Sequence, residues 1–494
     1  MTVLSKFITV FFNEVIKEKD NTPTKISVLL YAYFQMFYDF GSLYNKNMIL
    51  STDRVKIPLN YLDIQNYLSS NQETIEYVLY VGHESFMSTL YPTYPAFQMR
   101  PIDYGIKKFT INESTLKTVI WWAGQFLTGK SIELKRSGII TNNKTGLPCD
   151  FTGSYDYKNK TPNNWANLIV PNGTLKKDGL PIIDLDNPST YNVQNFLGQE
   201  YYLNEGFAVN PKKNIIDLSS QISLTWETGL KEQMDKIIDL YGKLTDEQKM
   251  TAELFAGSGP TVLPPPGIMI VIALQISEKY EQSLENEIKM LFMLGGSFFD
   301  ACVSAWWYKS TYNQARPVSL IRHYYKNKIL NSWNPEYATT ILGEKWLPYQ
   351  DLTFVTPPFP DVASGHTVFS RTSGKLLDWW FNYPVLYDTF SLSEMPNQKI
   401  ICPSLILSEK ICSIGEYIFP KGSSVIEPGF SPTKDVVLRY RTIKEVYEAA
   451  GMSRIYGGIH TYQTNDVSAQ LADWVYSQTL DKLKNQFKFF SPYK

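Results

Sequence analysis

Histidine is scarce in this chain, with four residues among 494. Cysteine is as rare: Cys149, Cys302, Cys402 and Cys412 form no C-x-x-C pair, so the spacing suggests neither a zinc knuckle nor a redox dithiol. Cys402 and Cys412 could bridge, but the set reads as unpaired thiols of a reducing compartment. There is no basic excess, since the formal net charge is −1. That argues against general nucleic-acid binding, which runs on counterion release, and any cationic site must be local. Long apolar runs are also missing. The longest, from 268 to 274, is far too short to span a bilayer. An apolar N-terminal stretch, 7 to 16, is interrupted by Asn13 and Glu14 and lacks a small-residue cleavage pattern, so no signal peptide is recognised. Asn-x-Ser/Thr at Asn112, Asn143, Asn159 and Asn172 then reads as chance in an Asn-rich chain. The expectation is a soluble, cytoplasmic protein with no membrane span and no nucleic-acid partner.

What is present is mostly helical pattern. Residues 25–45 are apolar almost all round and predict a buried helix. Helical segments follow at 62–69, 73–81 and 116–126. Residues 137–215 are rich in Asn, Pro, Gly and Lys with poor periodicity; so long an irregular stretch is expected to wrap a surface or carry function, with room for short strands. After 215 the helical signal is strong. Thr245-Asp-Glu-Gln248 is a capping box, Gly257 to Pro260 a stop, and Pro264 to Gly267 a firm break. Ser283 opens a long helix running to Ala315 and closed by Pro317. Further helices are predicted over 364–381, 443–450 and 467–487. There is no fixed-period repeat. The chain divides into an N-terminal helical region (1–136), an irregular wrapping segment (137–215) and a catalytic helical-bundle domain (216–494). The predicted fold is mainly α, with long irregular loops and few short strands.

Three short segments concentrate the chemistry. Lys309 stands seven residues before Arg316-Pro317. On one helix that is two turns, roughly 10 Å, so both would share a face. Two such cations are more often a solvated face, and Trp306, one turn earlier, is by itself more often core. Ser364-Gly365-His366 follows Pro357, Pro358 and Pro360 and begins a helix. Ser364 suits an N-cap, and the Gly365 amide lies at the positive helix end, where an anion can approach. Arg454 and His460 flank Gly457-Gly458, which ends one helix and puts His460 at a turn. Each piece alone also fits an ordinary capped helix or a satisfied histidine. Together, three cations, a hydroxyl and an amide suit a tetrahedral oxyanion, and two imidazoles suit a ligand and an acid/base.

These segments resemble the signature of the vanadium haloperoxidase and type 2 phosphatidic acid phosphatase superfamily. The likeness extends over most of 215–480, including Pro357 to Phe369 and Ala449 to His460, with weaker echoes from Thr24 to Asp39. It implies a helical bundle of the haloperoxidase and acid phosphatase type. It implies that Lys309, Arg316, Ser364, Gly365 and Arg454 hold the oxygens of vanadate, with phosphate able to occupy the same site. His460 would bind vanadium, His366 would be the acid/base, and Lys309 would also activate peroxide. Trp306 and Phe359 match the halide side. The implied reaction oxidises halide with hydrogen peroxide to hypohalite. Two alternatives stand beside it: a soluble acid phosphatase with a His nucleophile on phosphate monoesters, and a degenerate homologue that only binds an anion. The chain departs from the pattern at Ala363, where Pro often precedes Ser-Gly-His, and at Thr464, where the family commonly has Asp four residues after the last His. Asp466 is the expected substitute for orienting that imidazole.

Overall fold

A computed structural model describes residues 2–17, 22–51, 55–91, 93–95, 97, 100–107, 111–128, 148–149, 162–173, 183–184, 186–256, 263–336, 339–386 and 415–493. The Cys402–Cys412 pair, the 257–260 stop, Asn143, Asn159 and much of the 137–215 segment lie outside the described residues.

Fourteen α-helices are described: α1 (Val3–Lys17), α2 (Pro23–Ser42), α3 (Tyr61–Ser69), α4 (Ile75–Leu90), α5 (Glu113–Thr128), α6 (Pro211–Asn214), α7 (Lys231–Tyr241), α8 (Asp246–Leu254), α9 (Pro265–Lys279), α10 (Leu284–Tyr312), α11 (Pro317–Tyr324), α12 (Gly365–Phe381), α13 (Ile443–Tyr456) and α14 (Tyr462–Asn485). Seven short strands make small ribbons only. β1 (Pro148–Cys149) pairs parallel with β2 (Asn167–Pro171), and β2 antiparallel with β3 (Tyr191–Val193). Two antiparallel pairs follow, β4 (Ile329–Asn331) with β5 (Thr340–Leu342) and β6 (Glu416–Phe419) with β7 (Val436–Arg439). The fold is mainly α, as the sequence pattern predicts.

The spine is α10 against α2. Both are apolar on nearly every face because both are enclosed on nearly every side. Tyr31 and Tyr38 of α2 stack on Phe299 and Phe292 of α10, with centroids 5.4 and 4.2 Å apart. Gly295 permits the close crossing: a Cβ there would lie 3.1 Å from Tyr31 Cα. Among the described residues α10 is the one helix long and apolar enough to cross a membrane, yet 94% of its apolar window is buried inside the protein. One apolar cluster runs from α1 through α2, α4 and α5 to α9, α10, α12, α13 and α14. A second, around Trp346, gathers α7, α11 and the β4–β5 ribbon.

Helix boundaries decide where the site forms. Thr245 caps α8 through a capping box with Gln248, and Ser283 caps α10 by accepting the Asn286 amide. The long helix does not continue to Ala315. It ends at Tyr312, where Asn313 takes a left-handed conformation (φ 46°). Arg316 is extended because a proline follows it, and Pro317 opens α11 instead of closing α10. Pro264-Pro265 likewise starts a helix, α9, by the same preference for proline at the first helical position.

Candidate active site

The N-termini of three helices converge with the C-terminal end of α10. Arg316 is the residue before α11, Ser364 caps α12, and Thr461, next to His460, caps α14. Each brings the partial positive charge of a helix start toward this point, so the backbone itself favours an anion.

Lys309 reaches this point from the last turn of α10. It is fully buried, and its Nζ donates to Pro360 O (2.7 Å) and Asp361 O (3.0 Å). An ammonium has three donors, so one remains. The shared helix face expected for Lys309 and Arg316 is not how they meet; the break at Asn313 turns the chain back so that Arg316 approaches from the next segment. Arg316 Nε donates to Phe359 O (2.8 Å) and Nη1 to Ile459 O (2.7 Å), pinning two of the three motif segments together. Its Nη2 is buried with no hydrogen-bond partner. Arg454 enters from the last turn of α13 and gives its two terminal nitrogens to Ala256 O (3.0 Å) and Ala252 O (2.7 Å) at the end of α8. Ser364 Oγ accepts the Thr367 amide at 3.4 Å, which leaves its hydroxyl proton to donate.

The two histidines are fixed in different tautomers. His366 Nε2 lies 2.7 Å from Phe255 O, a pure acceptor, so Nε2 carries the proton and Nδ1 the lone pair. His460 Nδ1 bonds Asp361 Oδ1, so Nδ1 carries the proton and the lone pair sits on Nε2, 3.3 Å from Arg316 Nη1. Burial holds both imidazoles well below the usual 6.5; Arg454 adds to the effect at His366, and Arg316 and Lys309 add to it at His460. Burial also pushes Asp361 up to about 6, against the pull of Arg316 and Lys309. Desolvation and the neighbouring Arg316 hold Lys309 well below its ordinary value.

Trp306 and Phe359 meet at 5.1 Å and form an aromatic wall; Lys309 Nζ lies 4.8 Å from the Phe359 ring centre. Trp306 is held by its Nε1–H on Leu197 O (2.9 Å). A cavity of about 150 Å³ opens beside Gly365, His366 and His460, walled by this pair, Phe354, Pro358 and Phe369.

One expected residue is elsewhere. Asp466 is exposed on α14 and makes no contact with His460. The carboxylate on His460 is Asp361, whose second oxygen accepts the Thr464 hydroxyl at 2.9 Å. Asp466 cannot serve because it lies two residues past Thr464 and points off the buried side of the helix. Sequence reasoning missed Asp361, although a signal existed: it is the one carboxylate in the stretch from Pro357 to Phe369.

Residues 289–488 match the family model of the VCPO second helical-bundle domain. The match spans the segments that carry Lys309, Arg316, Ser364, His366, Arg454 and His460, and it supports a vanadium haloperoxidase family. The whole chain shares its fold with solved haloperoxidase structures. It is similar to an apo-type bacterial vanadium-dependent chloroperoxidase (18% identity, TM-score 0.68, covering 94% of this chain and 95% of that one). It is also similar to the holo-type enzyme (19%, 0.67, 95% and 94%) and to a bacterial vanadium-dependent iodoperoxidase (16%, 0.54, 97% and 96%). No curated protein matches the chain. The family resemblance read from the three sequence segments is borne out.

The residues present fit vanadate. Three buried cations face one carboxylate, and the Arg316 Nη2 donors are unspent; a multi-oxygen anion supplies the missing acceptors.

Proposed function

We propose that this protein is a vanadate-dependent haloperoxidase that oxidises halide with hydrogen peroxide to hypohalite. The observation that carries the reading is the contact of His460 Nδ1 with the buried Asp361 carboxylate, which assigns the proton to Nδ1 and turns Nε2 toward Arg316 within a cationic cage. Lys309, Arg316, Ser364, Gly365 and Arg454 would hold the vanadate oxygens, and His460 would be the ligand to vanadium through Nε2. When bound, vanadate supplies a pentavalent Lewis-acid centre at which peroxide becomes electrophilic toward halide.

The protein residues do the rest. His366 is neutral at neutral pH with its lone pair on Nδ1, so it accepts the proton that hydrogen peroxide gives up. The third Lys309 donor withdraws charge from peroxide oxygen. Trp306 and Phe359 present an apolar wall on which a weakly hydrated halide rests, and they limit water beside the reacting oxygen. The geometry also suits phosphate, so the test has two arms. The protein is given orthovanadate, hydrogen peroxide and bromide, and bromination of a phenolic dye is followed; separately it is given p-nitrophenyl phosphate without vanadate. Vanadate-dependent dye turnover is expected. Release of p-nitrophenol with no dye turnover would replace this reading with the phosphatase, and silence in both arms would leave an anion-binding homologue.

A further inference from the structure

The position four residues after His460 holds Thr464, which cannot carry charge. A hydroxyl can steer a neighbouring group but cannot offset charge on an imidazole. The charge arrives from another segment. Asp361 sits on the loop before α12, three residues ahead of Ser364, and is 1% exposed. Both of its oxygens are committed: Oδ1 takes the His460 Nδ1–H and Oδ2 takes the Thr464 hydroxyl. Thr464 Oγ1 in turn accepts from Thr461 Oγ1 at 3.0 Å, so the hydroxyl protons run in one direction, from Thr461 to Thr464 to Asp361. The Asp361 backbone is fixed as well. Its N–H donates to Gln314 O (2.9 Å), and its carbonyl accepts from Lys309 Nζ. Every polar atom of the residue is therefore placed by a different element, which is how a positioning carboxylate is held rigid.

We infer that Asp361 is the positioning carboxylate of His460 and that Thr464 is the clamp that aims it. With both oxygens already bonded, Asp361 would not hold vanadate itself. It acts through His460 by keeping Nδ1 protonated and Nε2 turned into the cage. The same carboxylate partly offsets the charge of Lys309 and Arg316. This inference rests on His460 being the ligand to vanadium.

A single carboxylate serving His460 predicts that one substitution has opposite effects in two backgrounds. Asp361→Ala should weaken orthovanadate binding about 10- to 100-fold, the usual loss when such a partner of a metal-bound histidine is removed. Thr464→Asp in the otherwise native chain should also weaken it, because two carboxylates would then crowd one imidazole. Thr464→Asp added to Asp361→Ala should instead restore at least tenfold of the lost affinity. If Asp361→Ala fails to fold, Asp361→Asn keeps the shape and removes the charge, and it should show the same loss and the same rescue. A second readout needs no vanadate: ring ¹⁵N shifts of His460 in the metal-free protein should report Nδ1–H in the native chain and a mixture of tautomers in Asp361→Ala. The inference is overturned if Thr464→Asp harms binding in both backgrounds, or if Asp361→Ala binds vanadate like the native protein. It is also overturned if His460 carries its proton on Nε2. Should the native protein bind no vanadate, the haloperoxidase reading fails alone, and the ring shifts still decide whether Asp361 sets the tautomer.

Discussion

Arg316→Lys is the substitution that best separates a shaped cage from a mere cluster of charge. Arg316 does three things with one planar group: Nε holds Phe359 O, Nη1 holds Ile459 O, and Nη2 is left for a ligand. Its guanidinium also lies 5.1 Å from the centre of the Phe359 ring. Lysine keeps the charge but has one nitrogen at the end of a flexible stem, so it cannot serve two divergent carbonyls and an anion together. At least one charge-assisted hydrogen bond is lost, worth about 1.5–3 kcal/mol. If that bond is the one to the anion, affinity falls roughly 10- to 150-fold at 1.4 kcal/mol per decade. If a carbonyl is abandoned instead, the loops carrying Phe359 and Ile459 loosen, and a buried unpaired acceptor costs about 1–3 kcal/mol of stability. Calorimetric titration with orthovanadate and a urea midpoint measure the two losses. Arg322→Lys is the control. Arg322 is equally buried, but its Nε holds Trp346 O within the second apolar cluster. It should lose stability and keep vanadate affinity. Binding by Arg316→Lys within threefold of the native protein would refute the reasoning, as would an equal loss of affinity in Arg322→Lys.

His460→Ala should abolish vanadate binding, whereas His366→Ala should keep binding and lose most dye turnover; equal vanadate affinity in the two variants would contradict their roles. Gly458→Ala should destabilise the protein by roughly 2–5 kcal/mol in a urea titration. Its φ is +66° and its Cβ would overlap Tyr241 Oη, which accepts the Tyr349 amide at 2.8 Å and donates to Tyr456 O at 3.0 Å. Orthovanadate at 100 times its dissociation constant should add about 2.7 kcal/mol and raise the melting temperature by roughly 2–3 °C for a chain of this length. Stability should also depend on Asp39, which burial pushes from 3.8 up to about 7 despite bonds from Ser51. The folded protein keeps a proton there that the unfolded chain releases near pH 4. This contribution is therefore full below about pH 4 and lost as pH rises toward 7, by at most about 4 kcal/mol at 1.36 kcal/mol per unit. The urea midpoint of Asp39→Asn should flatten relative to the native protein between pH 5 and 8.

Local rules carried the helices well. Ser283, Ser364 and Thr245 are caps in the structure because a short hydroxyl next to an apolar-periodic run has few other uses. The segment 25–45 was legible as buried because it has no polar face. What local rules could not give was the end of α10. Its helical periodicity continues past Tyr312, and only the left-handed Asn313 and the extended residue before Pro317 break it. The pairing of Asp361 with His460 was hidden for a different reason. Spacing along a helix reveals partners three or four residues apart, and this pair is joined across 99 residues by the meeting of two loops. The missing Asp at position 464 marked a vacancy, but the nearest carboxylate in sequence, Asp466, is on the wrong side of α14.

The arrangement around Arg316 explains why those loops meet where they do. A cage of three buried cations repels itself, and desolvation makes each charge costlier. Burial and mutual repulsion lower Lys309 well below its ordinary value and bring Arg454 down to about 9. The protein answers with acceptors that carry no mobile charge. Carbonyls of Phe359, Pro360 and Asp361 take Arg316 and Lys309, Ile459 O takes Arg316, and the last carbonyls of α8 take Arg454. Dipoles stabilise the cations without neutralising them, so the positive potential survives for an incoming anion. A second carboxylate in place of those carbonyls would have made the empty cage more stable and the bound anion less so. That is the physical reason for a site with one acid, Asp361, turned toward an imidazole and away from the oxygens it would otherwise repel.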